Sequence, residues 1–220
     1  RRVGAEMCIR DSYSIKNKVQ RLPIEPISRS SADQRKGRCG RVSAGICIRL
    51  FSEQDYHSRS EYTDPEIKRT NLASVILRML YLRIGDVEQF PYIDAPEKKA
   101  INDGFKLLIE LNAITQKHAL TSIGKQMARL PVDPKLARMV VVASGHACLR
   151  EVLIIVSALS IQDPRESYGD NRQQAQERHA IFSHEESDFI SLVNLWDDYE
   201  HKRQSLSQNQ LKKFCNTHYL

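Results

Sequence analysis

One stretch of this 220-residue sequence gathers side chains suited to anionic chemistry: Gln34-Arg35-Lys36-Gly37-Arg38-Cys39-Gly40-Arg41. Wound as an α-helix, Gln34, Arg38 and Arg41 stand at i, i+4 and i+7, within about 60° of one another. One face then presents two guanidiniums and a carboxamide. Guanidinium forks donate in pairs, which suits a transferring phosphoryl group whose charge is spread over its oxygens. A carboxamide both donates and accepts, which suits the placing of an attacking water. Gly37 lies beside that face and removes the side chain that would hold a ligand off. Two glycines within four residues also cost helix stability, which a merely solvated basic helix gives no reason for.

The elements around the octet must position it. Ser30-Ser31-Ala32-Asp33 supplies N-cap residues for a short helix. Before it, residues 15–27 (IKNKVQRLPIEPI) alternate in character, are broken by Pro23 and Pro26, and read as a strand and exit loop. After Gly45, ICIRLF is an apolar run that reads as a buried strand. Strand, helix and strand in so short a span form an α/β fragment too small to bury its own sheet. Such a fragment is expected to be the end of a domain whose beginning is missing.

From Asp64 the pattern turns helical. Asp64-Pro65 reads as a cap before EIKRTNLASVILRMLYL, and Asp94-Ala95-Pro96-Glu97 opens a second helix with Ile101, Phe105, Leu108 and Ile109 on one face. Residues 114–120 (ITQKHAL) suit a small two-stranded wing, followed by a helix after Thr121 with Ile123, Met127 and Leu130 inward. Asp133-Pro134 starts another helix that stops near Gly145. CLREVLIIVSALSI is apolar on nearly every face, which predicts the central helix of a bundle. Ser183-His184-Glu185-Glu186 reads as a capping box before DFISLVNLWDDYEH. The chain closes on LSQNQLKKFCNTHYL, an amphipathic helix without a C-cap.

Charge points the same way as the octet. Residues 1–41 hold eleven Lys/Arg against four Asp/Glu, whereas the whole chain carries only +6 (33 against 27). A basic cluster of this kind fits a polyanion, either a nucleic acid or a nucleotide's phosphates. At 41% apolar and 27% charged, the composition is that of a globular protein, not a disordered one. No apolar run is long enough to span a membrane and no signal peptide opens the chain, so a cytoplasmic setting is expected. Cys8, Cys39, Cys47, Cys148 and Cys215 form no C-x-x-C pair and read as reduced thiols.

The octet resembles motif VI (Q-R-x-G-R-x-G-R) of the DEAH-box group of superfamily 2 helicases. LPIEPISRSSADQRKGRCGRVSAGICIRLFSEQDY, EIKRTNLASVILRM, LPVDPKLARMVV and SALSIQDPRE follow one another in the order that family uses. The late stretch SDFISLVNLWDDY most resembles HrpA-type bacterial RNA helicases. The resemblance implies mixed α/β structure at the start and mostly helix afterwards. Residues 13–62 would be the end of the second RecA-like domain, 63–132 a winged helix, and 133–220 the start of a helical ratchet domain. Residues 1–12 depart from the family pattern and read as a non-native junction.

Family knowledge carries over by position. Arg38 and Arg41 match the two arginine fingers that reach the γ-phosphate of ATP, with Gly37 beside them, and Gln34 matches the residue that helps order the lytic water. The strand around Tyr13–Val19 matches the far arm of a hairpin that guides RNA, so Lys16 and Lys18 are candidate phosphate contacts. Gln162 and Arg165, in SIQDPRE, would face the RNA channel unless they simply end a helix. Implied are ATP with Mg2+, a 3′ to 5′ course along RNA, and RNA as the partner, with DNA left open because no residue identifiably reads the 2′-hydroxyl.

The sequence holds no G-x-x-x-x-G-K-[ST] loop and no DEAH tetrad, so the ATP and its metal are expected to sit mainly on a preceding RecA-like domain. The expected function is therefore a piece of an ATP-dependent RNA helicase, inactive alone. A freestanding winged-helix nucleic-acid binder is the rival, and a scaffold using the apolar bundle a third possibility. No metal site is expected: His179 and His184 are five apart without a Cys partner, and Asp197, Asp198 and Glu200 read as the solvated end of a helix. Phe189, Leu192 and Trp196 fit a core stripe, with base stacking as the sharper reading of Trp196.

Overall fold

The computed structural model describes residues 7–9, 12–14, 19–21, 24–41, 43–161, 163–165 and 172–220. The chain divides into two units, residues 1–110 with 114–119, and residues 111–113 with 120–220. In the first unit, strand β1 (Met7–Ile9) runs antiparallel to β4 (Ile24–Pro26), and β2 (Ser12–Ser14) to β3 (Val19–Arg21). Tyr13 and Val19 thus lie on two paired strands instead of one arm, and Met7–Ile9 of the suspected junction takes part in a ladder. Lys16 and Lys18 lie outside the described residues.

Helices dominate the remainder, and a RecA-like α/β layer is not shown. The strand expected from ICIRLF does not form: residues 44–49 are irregular, and Ile46, Ile48 and Leu50 are 88%, 79% and 77% exposed. A β-strand needs a neighbour to take up its N–H and C=O groups, and among the described residues these six have none.

Helices α1 (Arg29–Cys39) and α2 (Glu53–Ser58) flank this segment. The long helix expected from Asp64 is split. Glu66–Lys68 makes one 3-10 turn, and α3 (Ala73–Leu82) begins only after the Asn71 carboxamide has accepted the Ala73 N–H at 2.8 Å. Asn at that point competes for the backbone and resets the start. Helix α4 (Lys98–Glu110) packs on α3, with Ile76 and Leu108 fully buried between them. The crossing is close because position 104 is glycine: a Cβ there would lie 2.6 Å from Ile76 Cδ1 and 3.1 Å from the Ala73 nitrogen. The predicted wing is present in minimal form: Ile114 and Leu120 are bridge residues, the Thr115 N–H donates to the Ala119 carbonyl at 2.9 Å, and the Thr121 N–H to the Ala113 carbonyl at 3.0 Å. His118 donates its N–H to the Thr115 carbonyl at 2.9 Å, adopts φ +59°, and stacks its ring on Phe105 at 4.0 Å.

From Ser122 on, the regular structure of the second unit among its described residues is helical. α5 (Ser122–Met127) starts where Thr121 accepts the Gly124 N–H at 2.9 Å, and α6 (Pro134–Ala143) where Asp133 accepts that of Lys135 at 2.8 Å. Caps of this kind contribute about 1 kcal/mol each. Met127 is buried, with Ile123 and Leu130 half-buried. α7 (Leu149–Leu159) packs on α6 and on α9 (Asp188–Ser205), yet it is not a fully enclosed central helix. Ile154 and Val156 are buried, while Leu153 and Leu159 stay 45% and 46% exposed.

α8 (Arg172–His179) and a 3-10 turn (Ala180–Phe182) lead to α9, whose cap is Ser187 and not Ser183. Ser183 instead ends the 3-10 turn, so the chain is not free to start a helix there. α10 (Gln208–Thr217) opens with Gln210 accepting the Ser207 N–H at 3.0 Å. Contrary to expectation it is also capped at its end: Tyr219 turns left-handed (φ +55°), and the Leu220 N–H reaches back to the Cys215 carbonyl at 3.0 Å. That 6→1 bond is the Schellman closure, made here without glycine.

Candidate functional site

α1 begins at Ser28, whose hydroxyl accepts the Ser31 N–H at 3.2 Å and meets Thr63 Oγ1 at 3.1 Å. The N–H groups of Arg29 and Ser30, left over by the helix geometry, donate to the carbonyls of Ser60 and Glu61 at 3.0 and 2.9 Å. Arg59 stacks on Phe51 at 3.9 Å, pairs with Asp55 at 2.6 Å and donates to the Ile27 carbonyl at 3.4 Å. Ile27, Ser28 and Ala32 are buried by these contacts. The first turns of α1 are therefore fixed to the body of their unit.

Asp33 ties the helix to two further segments. Its carboxylate accepts from the Tyr56 hydroxyl at 2.7 Å and from Arg49 at 2.5 Å, and Arg49 lies 4.3 Å over the Tyr56 ring. The Tyr56 hydrogen bond, and after it Arg49, hold the Asp33 carboxyl below the usual carboxylate range. The same bond pushes the Tyr56 phenol up. A lowered carboxyl pKa contributes stability that is present above the unfolded-state value and lost as pH falls through the folded one. A raised phenol loses its contribution as pH rises through its folded value. The cluster should thus hold between about pH 4 and pH 10 and loosen at both ends. Asp33→Asn should lower the melting temperature slightly near neutrality and flatten the acid limb, the two curves converging at low pH, a modest effect because Asp33 is solvent-exposed.

Past Asp33 the helix continues to Cys39. Gln34, Gly37 and Arg38 are exposed on α1, but the helix stops at Cys39, so Arg41 stands past its end. The single helical face expected to carry all three polar groups is therefore not formed. The chain turns back at this point: a Cβ on Gly45 would sit 2.1 Å from the Cys39 carbonyl oxygen, so the returning segment runs hard against the helix end. By contrast, a Cβ on Gly37 or Gly40 would meet nothing within 4 Å, so packing inside the chain does not require glycine at either.

Two hollows border this helix. One, of about 1070 Å3, is lined by Lys36, Gly37, Gly40 and Arg41. The other, of about 410 Å3, is lined by Gln34 with Arg29 and Glu61. Asp33 and Tyr56 line both, and Arg38 lines neither. Among the described residues the side chains of Gln34, Lys36, Arg38 and Arg41 have no hydrogen-bond or ion-pair partner. Unpaired guanidiniums beside open glycines fit a polyphosphate, since the charge is uncompensated and the approach unobstructed. Asp33, Arg49 and Tyr56 escaped the sequence reading. Their only signal was Arg49 inside the run taken for a buried strand, where an unpaired charge would not belong.

Elsewhere the candidates are placed as follows. Gln162 lies outside the described residues. Arg165 folds back onto Asp163, with Nη2 2.8 Å and Nε 3.0 Å from the carboxylate, so its charge is compensated. Leu192 is buried, but Phe189 and Trp196 remain 49% and 45% exposed, so the core stripe is only partly realised. Trp196 borders an apolar hollow with Ile154, Leu195 and Leu220. Asp197 pairs with Arg150, and Glu200 with Arg203 at 2.6 Å. No helix among the described residues is long and apolar enough to cross a membrane.

Residues 105–132 match the winged-helix family of helicase-associated (HA2) domains, and residues 133–192 the ratchet-like family of the same name. The chain is 57% identical over 213 residues to the ATP-dependent RNA helicase HrpA of Escherichia coli, covering 94% of this chain and 16% of that protein. It is 53% identical over 215 residues to the HrpA homologue of Haemophilus influenzae, with the same coverages. Against the probable ATP-dependent RNA helicase DHX34 of Homo sapiens it is 33% identical over 204 residues, 93% of this chain and 18% of that protein. The chain thus spans less than a fifth of the length of these relatives. The resemblance seen in the motifs is borne out: the chain carries the HA2 winged-helix and ratchet-like domains and is related, over nearly its whole length, to the HrpA-type and DHX34 RNA helicases.

Proposed function

We propose that this chain is part of an ATP-dependent RNA helicase and supplies the arginine side of its ATP site. In this reading residues 13–62 complete a second RecA-like domain, 63–132 form the winged helix and 133–220 begin the ratchet. The observation that carries it is the motif around the end of α1, where among the described residues the Arg38 and Arg41 side chains have no partner and a Cβ on Gly37 or Gly40 would meet nothing within 4 Å.

Gly37, Arg38 and Arg41 would face the nucleotide's phosphates, the two arginines donating to oxygens on which charge builds during transfer. Gln34 would orient water. ATP with Mg2+ supplies the phosphoryl group and its counter-charge, held mainly by a P-loop and an acidic box that this sequence does not contain. RNA would be gripped by the winged helix and ratchet, with Lys16, Lys18, Gln162 and Arg165 as candidate contacts, and stepped 3′ to 5′ in the cytoplasm.

The purified 220-residue chain should show no RNA-stimulated ATP hydrolysis above buffer, measured by phosphate release. Turnover by the chain alone would sink the division of labour proposed here.

A further inference from the structure

We propose that Cys39 and Cys47 are a thiol pair whose oxidation to a disulfide stops ATP turnover in the full-length protein. The bond is argued from the contacts around the two thiols; its effect on turnover rests on the reading of Arg38 and Arg41 as the arginine side of an ATP site. Both thiols are free and exposed, and both line the hollow of about 1070 Å3 bordered by Lys36, Gly37, Gly40 and Arg41. The returning segment is held along α1 at two points. Gly45 lies against the helix end, where a Cβ on it would come 3.1 Å from Cys39 Cβ. Arg49 is bound to the Asp33 carboxylate at 2.5 Å, further back on the same helix. Cys47 stands midway between these points, and two residues of chain place its Cα no more than about 7 Å from that of Gly45.

A disulfide holds its Cβ atoms about 3.5–4.5 Å apart, and the chain at Gly45 is already that close to Cys39. Residues 44–49 make no backbone hydrogen bond among the described residues, so the short swing that brings Cys47 up to Cys39 breaks none of those shown. The Cys39 thiol gives up a 3.8 Å donation to the Arg35 carbonyl. The oxidant is a small anionic disulfide such as oxidised glutathione, drawn to the hollow by the uncompensated charges of Lys36 and Arg41. One cysteine thiolate attacks it, forming a mixed disulfide and expelling one small thiolate. The second cysteine thiolate attacks the protein sulfur of that bond, closing Cys39–Cys47 and expelling the other. The two cysteine protons end on the two expelled thiolates, so the pair is oxidised as the reagent is reduced to two thiols. The closed ring contains Arg41 and begins next to Arg38, so closure moves one guanidinium relative to the other. Catalysis by fixed donors depends on placement, so that displacement falls on turnover.

The test incubates the full-length protein with oxidised glutathione and digests it with trypsin without reductant. Trypsin separates Cys39–Arg41 from Val42–Arg49, so the bond is read by mass spectrometry as these two peptides joined, two hydrogens lighter than their sum. Oxidation should lower kcat for RNA-stimulated ATP hydrolysis by about tenfold to a hundredfold, the scale on which a misplacement of about 1 Å acts, and dithiothreitol should restore it. Cys47→Ser should turn over like the reduced parent and keep that rate under oxidant. Absence of the joined peptides, or an equal loss in oxidised Cys47→Ser, would overturn the proposal. Joined peptides with undiminished turnover would overturn it too, and Arg38→Ala in the reduced protein then separates the two levels. If Arg38→Ala abolishes turnover, only the thiol switch fails; if it leaves turnover intact, the reading of the ATP site fails with it.

Discussion

Arg38→Ala in the full-length protein is expected to lower RNA-stimulated ATP turnover by about 10³–10⁵-fold, the range over which an arginine finger acts in phosphoryl transfer. The reason lies in what the structure does not ask of this side chain. Arg38 is exposed and has no hydrogen-bond or ion-pair partner among the described residues, so its removal costs no contact in the fold. Melting temperature should therefore stay close to the parent's, as for surface substitutions worth less than about 0.5 kcal/mol.

RNA affinity distinguishes the rival. A freestanding nucleic-acid binder would lose affinity on Arg38→Ala much as on loss of any other cation, and the slope of log K against log salt would fall by about one. The helicase reading expects RNA affinity and salt slope to stay nearly as they were while phosphate release collapses. Steady-state ATPase and filter-binding measurements on one preparation decide it. A variant that turns over ATP normally but binds RNA more weakly would refute the role given to Arg38.

Leu108→Ala carries the largest effect expected on stability. Leu108 is fully buried against α3, at a crossing already narrowed by Gly104. Replacing it removes the transfer energy of the lost methyl groups and leaves a cavity, together about 2–5 kcal/mol. Collapse into that space is limited, because α3 and α4 are already drawn together at Gly104. For a unit of this size each kcal/mol lowers the melting temperature by about 4–8 °C, so calorimetry on the 220-residue chain should see a drop of tens of degrees at the upper end. A shift of only a degree or two would mean that α3 and α4 do not share this core.

Much of the fold was legible because it depends on short-range chemistry. Thr121 and Asp133 cap where their types and positions say they should, and Ile101, Phe105 and Leu108 are buried at the spacing that predicted it. What was missed depends on competition or on absent neighbours. Asn71 takes the Ala73 N–H and delays a helix that periodicity alone would start at Asp64. Ser187 caps where Ser183 was expected, because the backbone at Ser183 is already engaged by Ala180 at 3.1 Å. Tyr219 adopts a left-handed turn that sequence assigns to glycine.

The motif residues themselves were found from type and spacing, but their arrangement was not. α1 ends at Cys39, where the chain passes close at Gly45, so Arg41 falls outside the helix, which periodicity cannot anticipate. Asp33 was read as a cap residue, and its long-range bonds to Arg49 and Tyr56 come from segments 16 and 23 residues away.

Ile46, Ile48 and Leu50 have a consequence for handling as well as for folding. They expose apolar side chains at alternate positions of a segment whose backbone is not paired among the described residues, the kind of stretch to which another chain can add by pairing. The six-residue run around them contains no proline and a single charge, Arg49, which is occupied by Asp33. Nothing in that run acts as a gatekeeper against stacking. These three side chains contribute almost nothing to the folded core, so Ile48→Lys is expected to raise the solubility of the chain in isolation with little change in its stability.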